Sequence, residues 1–363
     1  MTGRDVTKLF ASSSSQISEV IACIDRSGRI SLALIVDENR RLLNTISDGD
    51  VRRGILRGCS LTDPVSKLLE IKALTPHPVP VPAPAESDPE ALLAIMRGRG
   101  VRQLPLLGPD ESVVDIVILA DFQPQAAKPL RAVVMAGGQG VRLRPLTESL
   151  PKPMLPVGGR PVMQFIVEQL RDVGVKHIHV STHYQPEKIM DHFGNGESFG
   201  VDIKYVNEAV PLGTGGALGL LEMPDEPVLV INGDILTQVD FRLMYAFHQE
   251  HRADMTVAVR RYEVKVPYGV VDCEDARVRG LREKPELSFF VNAGIYLLEP
   301  TVFRHIRNNQ HMNMTDLIQT LIDCGQAVVS FPICEYWLDM GQHADYEKAQ
   351  EDVRAGKMGK PGV

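Results

Sequence analysis

A glycine-rich turn directly after an apolar run is the strongest chemical signal in this chain. The run 132–135 is followed by Ala-Gly-Gly-Gln-Gly-Val-Arg-Leu at 136–143. Glycine lets a backbone approach a ligand closely and present N–H groups to phosphate oxygens. The spacing matches neither G-x-G-x-x-G nor a Walker A loop. We therefore predict a phosphate-binding turn of another kind, whose contacts come from Ala136, Gly137, Gly138 and Gly140.

Two cationic side chains follow the turn at short range. Arg142 lies two residues after Gly140, and Lys152 stands between two prolines in Pro-Lys-Pro-Met-Leu-Pro at 151–156. The prolines restrict the backbone on both sides and would aim Lys152. A glycine turn joined to these two cations is a far more specific signal than a glycine turn alone.

Asp234 has the placement of a metal ligand, and Asp339 is a second candidate. Asp234 follows the apolar run 228–231 and the pair Asn-Gly, so it is expected at the C-terminal end of a strand. Asp339 would supply a second oxygen ligand. Mg²⁺ prefers one or two carboxylates together with substrate phosphates and water. We predict a Mg²⁺ site here; the alternative for Asp234 is a side chain that merely caps a turn.

Strands and helices alternate through the last two thirds of the chain. Apolar runs predict strands at 132–135, 178–181, 228–231, 255–259, 291–298 and 327–331. Periodicity and end signals predict helices at 161–173, 241–253, 315–324 and 343–354. This pattern is typical of an α/β fold with a mostly parallel sheet covered on both faces. Ligands of such folds bind beyond the carboxyl ends of the strands.

The first third of the chain contains an internal repeat with an offset of 71 residues. Residues 35–50 resemble residues 106–121, and each copy predicts a helix, a strand, a polar turn, a second strand and an Asp that opens another helix. Alternating prolines at 76–84 predict an extended connector. We place the repeats at about 5–65 and 75–123, a linker at 124–130, and the second domain at 131–355.

Composition sets limits on the class of protein. The 363 residues suggest two domains, and 44% apolar with 23% charged residues is ordinary for a folded protein. The net charge of −7 argues against a nucleic-acid partner, and no apolar stretch is long enough for a membrane span. The N-terminus lacks the apolar region of a signal peptide, and the five cysteines form no C-x-x-C pair. We expect a cytoplasmic protein.

The second domain resembles the sugar-1-phosphate nucleotidylyltransferases. The resemblance rests on G-G-x-G-x-R-L, the P-K-P-M-L-P segment and six further motifs in order, and it covers residues 131 to about 350. These motifs lie at 212–217, 232–234, 268–270, 283–285, 292–296 and 337–341. The resemblance is to guanylyltransferases acting on mannose, heptose or glucosamine 1-phosphate, and it implies a Rossmann-like nucleotidyltransferase domain. Since the chain stops at Val363, the C-terminal β-helix of some relatives is not expected.

The resemblance implies a reaction and a role for each motif. A nucleoside triphosphate and a sugar 1-phosphate would give a nucleoside diphosphate sugar and pyrophosphate, with Mg²⁺ on Asp234 and Asp339. Arg142 would neutralise the leaving pyrophosphate, Lys152 the α-phosphate, and Lys284 would place the sugar phosphate. The turn would bind the nucleotide together with Gly213 and Thr214. The sugar phosphate would contact Tyr268, Gly269, Glu283, Lys284 and Asn292. The alternative for Glu283 and Lys284 is a solvated ion pair.

The identity of the base depends on one carboxylate. Glu208 lies five residues before Gly213, where the family contacts the edge of the base. A carboxylate only accepts hydrogen bonds, and guanine offers two adjacent donors whereas uracil and thymine offer one. We therefore predict GTP and a GDP-sugar, a precursor for glycans or surface polysaccharides. The alternatives are a UTP- or dTTP-using enzyme, or a regulatory protein that senses nucleotides without catalysis.

The repeat resembles a tandem CBS pair over about residues 5–123. Asn-Thr-Ile-Ser-Asp-Gly-Asp-Val-Arg at 44–52 is similar to the G-x-x-T-x-x-D-x-x-R motif of that family. The resemblance implies that Ser47 and Asp50 bind an adenine or guanine nucleotide. The second copy keeps Asp121 but has Ile118 in place of the hydroxyl, so one nucleotide per chain is expected. The alternative is a structural or dimerising module, and both families imply a homo-oligomer.

Overall fold

The computed structural model describes residues 4–122 and 130–358, which form two compact units. The linker predicted at 124–130 falls almost wholly on residues 123–129, which lie outside the described part of the chain. Each unit has its own apolar core clusters.

The N-terminal unit combines short strands with four helices in its described residues. Its strands are β1 (Phe10–Ala11), β2 (Leu32–Val36), β3 (Leu42–Ser47), β4 (Ala83–Pro84), β5 (Gln103–Leu107) and β6 (Val113–Ile118). Its helices are α1 (Ile17–Arg26), α2 (Asp48–Leu56), α3 (Val65–Lys72) and α4 (Pro89–Arg99). The strands form two three-stranded sheets, β1-β2-β3 and β4-β5-β6.

The two small sheets share one plan. In each, the first strand is parallel to the second and the second is antiparallel to the third. Strands β5 and β6 begin 71 residues after β2 and β3, and both pairs carry an irregularity at the equivalent position, Ile35/Val36 and Leu106/Leu107. In the second copy a 3₁₀ turn, Leu119–Asp121, stands where α2 begins in the first copy, and most of the positions equivalent to the rest of α2 lie outside the described residues.

The C-terminal unit contains most of the regular structure. Its strands are β7 (Arg131–Met135), β8 (Pro156–Val157), β9 (Arg160–Pro161), β10 (His177–Thr182), β11 (Asp202–Asn207), β12 (Val228–Asn232), β13 (Ile235–Thr237), β14 (Met255–Lys265), β15 (Val270–Glu274), β16 (Arg277–Arg282), β17 (Glu286–Leu298), β18 (Val328–Pro332) and β19 (Trp337–Asp339). Its helices are α5 (Val162–Asp172), α6 (Pro186–Phe193), α7 (Gly213–Gly216), α8 (Phe241–Glu250), α9 (Met314–Asp323) and α10 (His343–Arg354).

A mixed, mostly parallel sheet organises this unit. In the described residues its order is β11-β10-β7-β12-β17-β14-β18, and only β17 runs antiparallel to its neighbours. Alternate residues of β7 enter different cores, with Val134 on the face covered by α5, α6 and α8 and Val133 on the face covered by α9. The predicted α/β class with a mostly parallel sheet covered on both faces is confirmed.

The helices begin and end where the sequence carries end signals. Pro161 is the N-cap of α5, and Gly174, with φ of 91°, follows its C-cap. The Gly174 N–H donates to the Arg171 carbonyl at 2.8 Å, and the Val175 N–H donates to the Leu170 carbonyl at 3.0 Å. This Schellman arrangement needs a left-handed residue, which glycine adopts without steric cost. The predicted helix at 161–173 is therefore one residue longer at each end than α5.

An exposed arm projects from the sheet. Strands β14 and β17 are much longer than the predicted strands at 255–259 and 291–298, because their outer halves pair with each other beyond the core. Strands β15 and β16 form a hairpin in the same region. The outer halves show little burial, so the apolar runs used for prediction marked only the buried portions. No helix in the described residues is long and apolar enough to cross a membrane.

We predict that residues 128–363 fold as an isolated fragment, because the core clusters of the C-terminal unit contain only its own residues. A fragment with these bounds should unfold cooperatively at a temperature close to one transition of the full chain, as measured by calorimetry and circular dichroism. A fragment without a cooperative transition, or one that precipitates under conditions where the full chain is folded, would contradict this separation of the cores.

Candidate active site

The glycine-rich turn is built against two neighbouring segments. It leaves β7 at Ala136, whose N–H donates to the Ser181 carbonyl at 2.8 Å. Gly140 has φ of 63°, and a Cβ there would lie 2.9 Å from Thr147 Cγ2 and 3.1 Å from Lys152 Cβ. The Thr147 hydroxyl donates to the Gly140 carbonyl at 2.8 Å. Glycine is thus required at this position, and its close approach brings Lys152 beside the turn.

Arg142 lies in the single 3₁₀ turn that follows, Val141–Leu143. The neighbouring Leu143 is fully buried and holds this turn to the unit, whereas the Arg142 side chain is exposed. The predicted partner of the leaving pyrophosphate therefore lies at the surface, two residues beyond the glycine turn.

Asp234 and Asp339 lie side by side at the end of the sheet. Strands β13 and β19 are antiparallel with Ile235 opposite Asp339, and the Met340 N–H donates to the Asp234 carbonyl at 3.3 Å. The Gly233 N–H donates to the Met135 carbonyl at 2.8 Å, which holds this segment next to the end of β7. The structure thus brings together the two carboxylates predicted to bind metal.

Lys152 stands between the two carboxylates. Its Nζ forms an ion pair with Asp234 and lies 3.6 Å from Asp339 Oδ1. Burial and the nearby charge of Asp234 raise the pKa of Asp339, while Lys152 acts in the opposite direction. Two neighbouring carboxylates repel each other unless a cation is present, and here the lysine ammonium is that cation.

The donor set fits a hard divalent cation that completes its shell with substrate. In the described ranges no group of three or more His, Cys, Asp or Glu side chains could hold a metal by itself. Two carboxylates beside a phosphate-binding turn match the needs of Mg²⁺, which takes its remaining ligands from phosphates and water. Asp234 and Asp339 are the residues that would hold it.

Glu208 lies against the glycine turn and is 7% exposed. Its Oε1 accepts from the Ser181 hydroxyl at 2.5 Å, and its Oε2 accepts from the Leu212 N–H at 2.8 Å. A Cβ on Gly137 would lie only 2.8 Å from Glu208 Oε1. The residue predicted to read the base is thus next to the predicted phosphate-binding turn. Ser181 was not identified from the sequence, because a single serine in a strand carries no signal.

The segment with Gly213 and Thr214 is fastened to a second chain segment. A Cβ on Gly213 would lie 2.6 Å from the Met312 carbonyl, and the Thr214 hydroxyl oxygen accepts from the Met314 N–H at 3.0 Å. The N–H groups of Gly215 and Gly216 both donate to the Met312 carbonyl at 2.9 Å. These residues therefore hold α7 against the start of α9, a contact between distant segments that no sequence motif marks.

The residues predicted to bind the sugar phosphate divide between the exposed arm and the sheet. Tyr268 is 75% exposed, and a Cβ on Gly269 would lie 3.1 Å from Glu283 Oε2. Lys284 is exposed and has φ of 43° between β16 and β17. The structure thus brings Gly269 next to Glu283 on the arm, with Lys284 beside them in the chain.

Asn292 instead belongs to the part of β17 that lies near the segment carrying Asp234. Its Oδ1 accepts from the Gly294 N–H at 2.9 Å. A Cβ on Gly294, whose φ is 70°, would lie 2.6 Å from Asn232 Nδ2. Asn232 comes two residues before Asp234, and its Oδ1 is buried without a hydrogen-bond partner in the described residues.

In the N-terminal unit, Asp50 is enclosed by donors of its own chain. Ser47 donates to Asp50 Oδ2 from its N–H at 3.0 Å and from its hydroxyl at 2.8 Å. Lys72 Nζ lies 3.4 Å from Oδ2, and Arg53 Nη2 donates to Oδ1 at 2.7 Å. Burial alone would raise the pKa of Asp50, but Lys72, the Ser47 N–H and Arg53 outweigh it and lower the pKa. Ser47 and Asp50 thus form the N-terminal capping box of α2.

Asp121 has a comparable set of partners. Arg4 donates to its two oxygens at 2.7 and 2.8 Å, and the Ile118 N–H donates to Oδ2 at 2.9 Å. All three residues predicted to bind a regulatory nucleotide are therefore joined to protein groups.

Replacing Asp50 by Asn should destabilise the N-terminal unit strongly. Lys72 is 5% exposed and would lose its countercharge, a change that costs about 3–5 kcal/mol in buried pairs. Asp121→Asn is the matched control, since its ion pair with Arg4 is more exposed and should contribute about 1 kcal/mol or less. Calorimetry of the full chain measures both. Equal losses of unfolding free energy in the two variants would contradict the distinction between the buried Asp50–Lys72 pair and the more exposed Asp121–Arg4 pair.

Lys152→Met should strengthen divalent-metal binding to the nucleotide-free protein. Lys152 occupies the space between Asp234 and Asp339, so its removal leaves two carboxylates without a cation. We expect the affinity for Mn²⁺, measured by electron paramagnetic resonance, to rise by about tenfold or more. The exposed Arg142 provides the control variant Arg142→Met, which should change the affinity little. An unchanged or weaker affinity in Lys152→Met would show that the lysine does not compete with metal.

Comparison with known proteins agrees with this geometry. The family model described as Nucleotidyl transferase matches residues 131–356. A mannose-1-phosphate guanylyltransferase from Mycobacterium tuberculosis is 33% identical over 239 residues, covering 64% of this chain and 67% of that protein. A D-glycero-alpha-D-manno-heptose 1-phosphate guanylyltransferase from Aneurinibacillus thermoaerophilus is 32% identical over 228 residues, covering 62% of this chain and 99% of that protein.

A solved structure extends the comparison. A Bacillus anthracis protein assigned as a glucose-1-phosphate thymidylyltransferase, crystallised with a sucrose, has a TM-score of 0.53 and 26% identity. The match covers 64% of this chain and 98% of that one. The family model spans well over half of the chain and includes the glycine turn, both carboxylates and Lys152, whereas residues 4–122 lie outside it. This chain therefore belongs to the nucleotidyl transferase family.

Proposed function

We propose that the C-terminal unit transfers a nucleotidyl group from a nucleoside triphosphate to a sugar 1-phosphate. The products are a nucleoside diphosphate sugar and pyrophosphate. The observation that carries this proposal is the placement of Asp234, Asp339 and Lys152 beside the glycine turn. Family membership and the sugar-1-phosphate transferases among the relatives support the same reaction class.

The reaction needs positioning and charge neutralisation more than covalent help from the protein. A phosphate oxygen of the sugar phosphate attacks the α-phosphorus in line, and the bond from that phosphorus to the bridging oxygen of pyrophosphate breaks. The N–H groups of the glycine turn bind the triphosphate, and Arg142 neutralises the leaving pyrophosphate. Lys152 moves from the carboxylates to the α-phosphate, where charge develops. Asp234 and Asp339 would hold Mg²⁺, which would supply further charge neutralisation when bound.

The sugar phosphate would approach from the side of the arm. Lys284 binds its phosphate, and Glu283 accepts hydrogen bonds from sugar hydroxyls. Tyr268 and Gly269 stand on the same arm as Glu283, which supports a shared role. Asn292 would complete the sugar site from the sheet.

We further propose that the nucleotide is GTP and the product a GDP-sugar for glycan or surface polysaccharide synthesis. Glu208 accepts hydrogen bonds only and lies next to the glycine turn, so it can select the two donors of guanine. The guanylyltransferases from M. tuberculosis and A. thermoaerophilus support this base, whereas the B. anthracis structure supports the alternative of a thymidylyl transfer. A purely regulatory protein has less support, because Arg142, Lys152 and both carboxylates are present.

For the N-terminal unit we propose a tandem CBS pair that assembles the enzyme into a homo-oligomer. The repeated plan of the two small sheets supports the duplication. The contacts of Asp50 and Asp121 favour the structural role over nucleotide sensing, since a purine nucleotide would have to displace Lys72, Arg53 or Arg4. Calorimetry with AMP, ATP, GMP and GTP would identify a sensor by binding to the full chain that the 128–363 fragment lacks.

Asp234→Asn and Asp339→Asn should each lower kcat by about a hundredfold or more with the fold intact. Each change removes one charged ligand from a site that depends on charge neutralisation. The control is Asp345→Asn, a carboxylate in the first turn of α10 outside the proposed ligand set. Pyrophosphate release at saturating Mg²⁺ measures the effect. Turnover near that of the unmodified protein in either ligand variant would refute the metal assignment.

The choice of base is tested by comparing nucleotides. We expect kcat/KM to be higher for GTP than for ATP, UTP or dTTP. We also expect Glu208→Gln to reduce this preference, because the glutamine amide presents an N–H donor at a position where guanine needs an acceptor. A higher kcat/KM for UTP or dTTP would exclude a guanylyltransferase. Full retention of the GTP preference in Glu208→Gln would exclude Glu208 as the residue that reads the base.

A further inference from the structure

Ser181 connects the glycine turn to Glu208. It lies in β10, and its carbonyl accepts from the Ala136 N–H at 2.8 Å. Its hydroxyl donates to Glu208 Oε1 at 2.5 Å, and the side chain is buried at 2% exposure. One residue therefore contacts the first residue of the turn through its backbone and the predicted base-reading carboxylate through its side chain.

Both carboxylate oxygens of Glu208 accept hydrogen bonds, and both polar groups of its backbone are hydrogen-bonded as well. Ser181 occupies one acceptor position of Oε1, and the Leu212 N–H occupies one of Oε2. The Glu208 N–H donates to the Thr182 carbonyl, and His183 Nδ1 donates to the Glu208 carbonyl at 2.8 Å. Backbone and side chain are thus both fixed, which leaves the carboxylate little freedom to rotate.

The remaining acceptor capacity matches guanine. A carboxylate has about four acceptor positions, two on each oxygen. With one position on each oxygen already used, one remains on each. The N1–H and the exocyclic amine of guanine are adjacent donors that would fill these two positions together. A Glu208 carboxylate that rotated out of this orientation could not offer both remaining acceptor positions to guanine at once.

We propose that Ser181 is a positioning residue that holds the Glu208 carboxylate in the orientation required to recognise guanine. This inference rests on the proposed function and adds a specificity determinant to it. Ser181 touches neither substrate nor reacting atoms, so its effect is on nucleotide affinity and base selection. The catalytic groups around Asp234 are on other strands and should keep their geometry when Ser181 changes.

Ser181→Ala and Thr182→Val form a matched pair of variants. Each removes one buried hydroxyl from adjacent positions of β10, but the Thr182 hydroxyl has no hydrogen-bond partner in the described residues and does not contact Glu208. ITP is the most informative competing nucleotide, because it keeps the N1–H of GTP and lacks the exocyclic amine. Thermal unfolding shows whether each variant is folded, and Ser181→Thr, which retains a hydroxyl, tests for rescue.

We expect Ser181→Ala to weaken GTP binding, measured by calorimetry without sugar phosphate, by about tenfold or more. The KM for GTP should rise by a similar factor, kcat should stay within about threefold, and the preference for GTP over ITP should fall. Thr182→Val should retain the preference, and Ser181→Thr should restore part of it.

Three results would overturn the inference. An unchanged preference for GTP over ITP in Ser181→Ala, with a GTP-selective parent protein, would exclude Ser181 while leaving the proposed function intact. An equal loss of the preference for GTP over ITP in Thr182→Val would show that any buried hydroxyl removed from this part of β10 has the same effect. A parent protein that prefers UTP or dTTP would overturn the base assignment and this inference together.

Discussion

The electrostatic balance among Asp234, Asp339 and Lys152 is the constraint on which the candidate site depends. Two carboxylates this close repel each other, and the raised pKa of Asp339 reflects both its burial and that repulsion. The pair exists because β13 and β19 are joined in a register that leaves Asp339 opposite Ile235. In this structure the lysine balances the charge, and during the proposed reaction a metal ion would take its place.

The remaining parts of the site are positioned by strand ends. Strands β10, β7 and β12 are parallel neighbours, so Ser181, the glycine turn and Asp234 meet at one edge of the sheet. Gly137 and Gly233 allow close approach, since a Cβ on the first would lie 2.8 Å from Glu208 Oε1 and on the second 2.9 Å from the Met135 carbonyl. The residues proposed for base recognition and for charge neutralisation thus share one rigid support. The arm with Glu283 and Lys284 has no comparable burial, which suits a part of the site that adapts to the sugar.

Sequence reasoning identified the buried and locally signalled features. Helix α10 was predicted with its observed bounds, and α5 within one residue at each end, because apolar periodicity and end signals act locally. The outer halves of β14 and β17 were not predicted, since exposed strands lack an apolar run. The pairing of Ser181 with Glu208 and of Thr214 with Met314 was also missed, because contacts across 27 and 100 residues leave no local pattern. Asp50 was predicted as a ligand residue, but its burial with Lys72 could only be seen in the fold.

The proposed reaction forms a bond between a nucleotide α-phosphate and a sugar phosphate. The most direct measurement supplies the protein with Mg²⁺, a panel of sugar 1-phosphates, and GTP carrying ³²P at either the α- or the γ-position. The account predicts that the α-label appears in a sugar nucleotide and the γ-label in pyrophosphate, in equal amounts. Recovery of both labels in intact GTP, or of the α-label in GMP without any sugar nucleotide, would contradict it.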